Sequence, residues 1–253
     1  MKKKIQKLIA HLGYGSRRKI ESYIRNKSIL VNGKVVTIGD RYDYKSIKQL
    51  NINGKEIRVD KLSVINARLI LYNKPEGEIC SRDDFYVNNS VFNRLPILKN
   101  NRWISIGRLD LNSSGLLLFT TDGDIAHRFM HPSFQIKREY LVRVFGKISE
   151  KKISILSSGV KIQNKYCKFS SIECVKRKKN MWFKVSLYEG RNREVRRLWN
   201  AVNVQVSRLI RIRYGDFTLP KTLPLKKWIE LNLNDLVCSQ ETNTKLINRY
   251  MKY

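Results

Sequence analysis

The stretch Gly107-Arg108-Leu109-Asp110-Leu111-Asn112-Ser113-Ser114-Gly115, running into Leu116-Leu117-Leu118-Phe119-Thr120, decides how this chain is read. The apolar run marks a strand buried on both faces. The segment before it lies between glycines, so it reads as a loop carried by rigid scaffold, where chemistry tends to sit. Its acid, Asp110, has two readings on this ground alone. It is a turn-former, since Asp and Asn favour such positions, or it is a catalytic carboxylate.

The flanking sequence is rich in strands. Arg68-Leu69-Ile70-Leu71-Tyr72 predicts a short apolar strand that runs into the turn chemistry of Lys74-Pro75-Glu76-Gly77. Gly123 and Asp124 open a helix carrying Ile125, Ala126, Phe129 and Met130. Tyr140, Val142 and Val144 alternate with their neighbours, as do Met181, Phe183, Val185 and Leu187. After Gly190 the period turns helical through Val195, Leu198, Trp199 and Val202, and Val206 to Tyr214 alternates again. Strands outnumber helices without regular βαβ units. Residues 67–236 are therefore expected to form an α+β domain on a mixed, mostly antiparallel sheet with flanking helices. A polar tail over 237–253 is expected to fray.

Residues 1–62 read as a separate small unit, with 63–66 as a linker. Ile5, Leu8, Ile9 and Leu12 recur at helical spacing, and Gly13 stops that helix. Ser16 caps a second helix whose inner face is Ile20, Tyr23 and Ile24. Ile29-Leu30-Val31, Asn32-Gly33 and Lys34-Val35-Val36 spell a tight hairpin, and Asn53-Gly54 repeats the turn signal. Arg17, Arg18 and Lys19 fill the first turn of the second helix, where cations oppose the helix dipole. A bound phosphate there reverses that penalty; the competing reading is a merely solvated charge cluster.

Charge narrows the function. Lys+Arg number 51 against 21 Asp+Glu, a net charge of +30. Residues 1–66 hold 16 basic and 5 acidic groups, so the excess runs through both parts of the chain. Such self-repulsion is relieved by a polyanion, which points to nucleic acid. A lysine-rich composition bias inflates the lysine count, but it accounts less well for the 22 arginines. No apolar run reaches the length of a membrane span, and the basic start Met1-Lys2-Lys3-Lys4-Ile5 leads into no signal-peptide core. The four cysteines, Cys80, Cys167, Cys174 and Cys238, form no CxxC pair, which fits a reducing cytoplasm rather than a disulfide framework. His127 and His131 have helical metal-ligand spacing. They lack an HExxH glutamate, and Pro132 follows at once, so surface or RNA-facing histidines are expected and no metal.

Four stretches in fixed order carry a family resemblance. Gly-Arg-Leu-Asp at 107–110 with Ser114-Gly115-Leu116-Leu117-Leu118-Phe119-Thr120-Thr121-Asp122-Gly123 resembles the aspartate motif of the rRNA pseudouridine synthases of the RsuA/RluB type. Asn73-Lys74-Pro75-Glu76-Gly77 resembles that family's lysine-proline loop, and Lys137-Arg138-Glu139-Tyr140-Leu141-Val142 its tyrosine strand. Glu189-Gly190-Arg191-Asn192-Arg193-Glu194-Val195-Arg196-Arg197-Leu198-Trp199, continuing through Arg211, resembles its basic helix in the form found in the B-type enzymes that modify 23S rRNA. Glutamate at 194, where the wider family has glutamine, suits that subgroup. Residues 2–60 resemble the S4 RNA-binding module. The whole likeness spans residues 2–236.

The resemblance implies isomerisation of a uridine in the peptidyl-transferase region of 23S rRNA. The partner is that rRNA or a large-subunit precursor particle, and a monomer acts without cofactor or metal. The C1′–N1 bond breaks, the base turns, and C1′ joins C5. Asp110 attacks C1′ or removes the C2′ proton; the sequence leaves both routes open. Either needs an ionised carboxylate beside a guanidinium, and Arg196 takes that role by its place in the motif. Its alternative is one more phosphate contact beside Arg191, Arg193 and Arg197. Tyr140 stacks on uracil and serves the C5 proton step, or else simply packs the core. Arg108 fills the space left by the flipped base. Lys74 touches phosphate or supports the loop. The rival reading is an RNA-binding assembly factor on an inactive scaffold, against which the trio Asp110, Tyr140 and Arg196 stands. A glycosidase wants paired carboxylates, and the sequence shows no acid partner for Asp110.

Overall fold

The computed structural model describes residues 2–57, 67–82, 88–98, 101–177 and 181–231. It divides into two compact units. One comprises Met1–Arg68, Ile97–Trp103 and Thr121–Gly123; the other holds Leu69–Pro96, Ile104–Thr120 and Asp124–Tyr253. The stretches 97–103 and 121–123 thus join the first unit, which a division at one point in the chain does not anticipate. The expected linker at 63–66 and the tail at 237–253 lie outside the described residues.

In the first unit, helix α1 (Ile5–His11) and helix α2 (Arg17–Arg25) precede a four-stranded antiparallel sheet. α1 ends at Gly13, whose φ of +87° no continuing helix permits. Ser16 caps α2, its hydroxyl accepting the Lys19 amide at 3.1 Å. Asn32 and Gly33 have φ of +51° and +77°, and Asn53 and Gly54 +52° and +76°, so both Asn-Gly pairs make the tight turns expected of them. Ile5, Leu8, Ile9, Ile20 and Ile24 from the helices pack with Ile29, Val31, Leu50 and Ile52 from the strands. Leu12 and Tyr23 flank that core half-buried.

The second unit is built on one large sheet, beside a separate antiparallel pair of Val160–Ile162 and Lys165–Cys167. Its strands run in the order Ser171–Arg177, Met181–Leu187, Arg138–Phe145, Gln205–Tyr214, Ser114–Thr120, Leu69–Lys74 and Trp228–Leu231. Ile104–Ile106 also pairs with Ser114–Thr120. Among the described residues, every strand pairing in this sheet is antiparallel except one, Gln205–Tyr214 with Ser114–Thr120. All residues of Leu69–Lys74 and Ser114–Thr120 are buried, as continuous apolar runs require. Helices α3 (Gly123–Met130), α4 (Glu150–Ser158) and α5 (Glu194–Ala201) flank the sheet strands in the chain. α5 buries Val195, Leu198 and Trp199, with Phe183 and Phe169 against the Trp199 ring at 5.0 and 6.0 Å between centroids. Among the described residues no helix is long and apolar enough to cross a membrane.

Candidate active site

Asp110 stands in the loop between Ile104–Ile106 and Ser114–Thr120. Six successive carbonyls of this loop, from Arg108 to Ser113, each accept a hydrogen bond. Arg211 Nη1 reaches that of Arg108 at 3.5 Å, and Cys80 Sγ that of Leu109 at 3.4 Å. The Asp110 carbonyl takes Lys74 Nζ and the Ser113 amide, each at 3.1 Å. Those of Leu111, Asn112 and Ser113 take the Gly77 amide at 2.8 Å, Arg196 Nη2 at 2.7 Å and Lys74 Nζ at 2.8 Å. An irregular loop has no ladder to satisfy its backbone, so these donors supply what a strand neighbour otherwise would. A loop held at every carbonyl presents its carboxylate in one place, as pre-organised chemistry needs.

Gly115 lets the loop rejoin the sheet at its one parallel pairing, opposite Arg211. Its φ is +100°, and a Cβ there would lie 2.3 Å from the Arg211 carbonyl oxygen. Only glycine permits that approach.

Lys74 is 0% exposed, and its ammonium donates to the carbonyls of Pro75, Asp110 and Ser113. Burial pushes its pKa down, opposed by the nearby Cys80, Glu78, Asp110 and Glu76. Of the two alternatives, loop support is the one the geometry shows. Arg196, expected beside Asp110, feels that carboxylate's charge and directs its hydrogen bonds elsewhere. Its guanidinium forks to the carbonyls of Asn112 and Val206 (2.7 and 2.9 Å), bracing the loop from α5. Arg193 stands at the carboxylate instead, with Nη1 3.8 Å from Asp110 Oδ2. The reason is geometric. Arg193 is the residue before α5, in a left-handed conformation (φ +53°), which turns it out of the helical periodicity that sets Arg196.

Asp110 opens into a cavity of about 520 Å³ within the second unit. Tyr140 lines it, 7% exposed, while Val142 and Val144 on the same face are buried in the core. Arg108, Arg191 and Arg193 also line the cavity. Arg197 does not; Gln163 and Asn192 hold its guanidinium. Arg17, Arg18 and Lys19 are exposed on the first turn of α2 in the other unit, and that turn contains no acid.

Three further residues shape the cavity without having been picked out from the sequence: Arg138, Arg211 and Glu194. The guanidiniums of Arg138 and Arg211 each lie 4.8 Å from the ring centroid of Tyr214. Both are buried, at 7% and 2% exposure. Arg138 donates to the carbonyls of Ile136 and Tyr188 and to the Tyr214 hydroxyl, which in turn donates to the Phe129 carbonyl at 3.1 Å. Strand alternation carried the signal for Arg138, which shares a face with Tyr140. Arg211 sits opposite Tyr140 in register. Glu194 begins α5, and its carboxylate accepts the Arg191 amide at 2.9 Å. Burial pushes its carboxyl up, against the pull of that amide. A second carboxyl thus does share the cavity with Asp110, which spacing along the chain does not reveal. Among the described residues no group of three His, Cys, Asp or Glu is placed to hold a metal ion.

The family model described as RNA pseudouridylate synthase matches residues 68–201, and that of the S4 domain residues 3–43. A protein of Buchnera aphidicola subsp. Acyrthosiphon pisum (strain APS) named "Ribosomal large subunit pseudouridine synthase B" is 50% identical over 251 residues, covering 96% of this chain and 100% of its own. The protein of that name from Escherichia coli (strain K12) is 50% identical over 238 residues, 92% of this chain and 80% of its own. A solved structure described as "Crystal structure of pseudouridylate synthase" shares the fold with a TM-score of 0.64 at 22% identity, over 92% of this chain and 97% of the other.

Proposed function

Because the chain belongs to the RNA pseudouridylate synthase family, we propose that it converts one uridine in the peptidyl-transferase region of 23S rRNA to pseudouridine, with Asp110 opening the glycosidic bond. The observation that carries this is the Asp110 loop, held at six successive carbonyls and facing Tyr140 across a cavity lined by five arginines. The target uridine leaves its stack, and Arg108, exposed at the mouth, takes its place. Tyr140 stacks on the base and serves the proton that leaves C5, while N1 gains one. Asp110 attacks C1′ or takes the C2′ proton, and Arg193 holds its carboxylate. Arg191 and Arg197 meet the RNA backbone.

Residues 1–62 act as the S4 module, with Arg17, Arg18 and Lys19 on phosphate; residues 67–236 carry the catalysis. The enzyme works as a monomer in the cytoplasm on 23S rRNA or a large-subunit precursor. Cys80, Cys167 and Cys174 are free, as a reducing compartment permits.

Glu194 gives one rival reading a foothold, since paired carboxyls can cut a glycosidic bond outright. A 23S rRNA fragment treated with the protein decides. Isomerisation leaves the RNA mass unchanged and creates a base whose carbodiimide adduct survives alkali; hydrolytic cleavage lowers the mass by a uracil less the water that takes its place. Neither change, with binding intact, assigns the chain to an inactive RNA-binding scaffold.

A further inference from the structure

Helix α3 and the turn after it carry rings exposed at the surface. The inner face of α3 buries Ile125, Ala126 and Phe129. On its outer side His127 and His131 lie 5.0 Å apart between ring centroids, and His131 lies 6.2 Å from Phe134. All three are exposed, Phe134 by 44%. Met130, 38% exposed, joins this strip to the cavity, which it lines.

We propose that the His127–His131–Phe134 strip is a stacking platform for the unpaired bases that flank the target uridine. The proposal rests on the reading of the cavity as the uridine site. Exposed rings beside a basic groove are how single-stranded RNA is held, because every base offers a π-face whatever its identity. The strip meets that description through Met130, which borders a cavity containing Arg108, Arg138, Arg191, Arg193 and Arg211. Its position is also fixed. The Phe129 carbonyl accepts the hydroxyl of Tyr214, the ring between Arg138 and Arg211, so α3 is tied to the cavity wall. The His131 ring is set by Ser133, whose amide donates to Nδ1 at 3.3 Å and leaves Nε2 to carry the proton. Extrusion of a uridine disturbs its neighbours' stacking, and a platform at the rim replaces what they lose.

The test is a cycle between protein and RNA. The RNA is a hairpin from the peptidyl-transferase region of 23S rRNA, intact or with abasic residues on both sides of the modified uridine. The proteins are wild type, Phe134→Leu, His127→Ala and the ring-preserving Phe134→Tyr, each checked for an unchanged thermal melt. On intact RNA, Phe134→Leu and His127→Ala are expected to weaken binding by about fivefold or more each, the low end for a lost base stack, and Phe134→Tyr to bind as wild type. On abasic RNA the wild type loses that advantage and the variants lose nothing further. Unchanged affinity of Phe134→Leu and His127→Ala for intact RNA overturns the platform, as does an equal loss on abasic RNA. Loss of a sedimenting dimer with RNA affinity unchanged assigns the strip to a second copy of the chain, and also overturns it. Wild type that makes no pseudouridine from the intact hairpin overturns the reading of the cavity, and the platform with it. Pseudouridine formation with unaffected variants overturns the platform alone.

Discussion

The ammonium of Lys74 lies 3.1 Å from the carbonyl oxygen of Asp110, in a position with no exposure to solvent. A cation so placed acts on the backbone of Asp110 rather than on its carboxylate. Removal of that cation leaves the Pro75 and Ser113 carbonyls without this donor and the Asp110 carbonyl with the Ser113 amide, each unsatisfied group costing about 1–3 kcal/mol if it stays dry.

Lys74→Met is accordingly expected to lower stability by about 2–4 kcal/mol and turnover by more than tenfold. RNA affinity and its salt dependence stay near wild type. Urea unfolding, single-turnover kinetics and filter binding over a salt series check the three parts. A salt slope reduced by about 0.7–0.9 would instead restore Lys74 to the phosphate-binding set.

Arg193 and Arg196 separate by what a lysine can replace. Arg193 meets the carboxylate as a charge, 3.8 Å away and half-exposed, so Arg193→Lys keeps part of the turnover that Arg193→Ala loses. Stability barely moves, because such a pair contributes about 0–1 kcal/mol. Arg196 needs its fork to reach the Asn112 and Val206 carbonyls together. Arg196→Lys is therefore expected to behave like Arg196→Ala, with stability and turnover both reduced. Parallel kcat measurements and thermal melts on the four variants read this out.

Glu194 makes a prediction about pH. Burial raises its carboxyl in the folded state above the ordinary 4.5. A raised folded pKa means that its stabilising contribution is complete below the unfolded value and is lost as pH rises through the folded one. Glu194→Gln keeps an acceptor for the Arg191 amide without the charge. The variant is expected to melt like wild type at about pH 4 and about 2–4 °C above it at about pH 8. Glu139 runs the other way. Burial raises its carboxyl, but a hydrogen bond from Lys137 and the charges of Lys137, Lys184 and Arg213 outweigh that and lower it. The comparison is thus made as variant minus wild type, where Glu139 cancels. A constant difference across the range contradicts the assignment.

In α2, replacement of Arg17, Arg18 and Lys19 by alanine tests the phosphate reading. Each phosphate left without its cation reduces the slope of log affinity against log salt by about 0.7–0.9. If the cluster is merely solvated, the slope stays unchanged and α2 gains stability, since no acid in its first turn offsets the cations.

The legible parts of this protein were those with one dominant local cause. Leu116–Phe119 and Leu69–Tyr72 announced buried strands because both faces are covered, and the two Asn-Gly pairs fixed their turns through positive φ. α4 left no clear pattern because Leu156 alone is buried on it. The edge strand Trp228–Leu231 pairs with a partner more than 150 positions earlier, a closure set by the sheet rather than by local preference. Asp110 and Tyr140 were readable as motif positions. The place of Arg193 at the carboxylate was not, because it depends on a left-handed turn before α5 that no single residue type there demands. Glu194 entered the cavity only once α5 met the sheet.

The central claim is that the Asp110 carboxylate does the chemistry, and Asp110→Asn tests it most directly. The variant keeps the size and backbone of the residue, so the six loop carbonyls keep their donors. Single-turnover release of tritium from C5-labelled 23S rRNA fragment, with filter binding of the same RNA, is the measurement. RNA affinity near wild type with no detectable tritium release is the expected result. Release at the wild-type rate would contradict it.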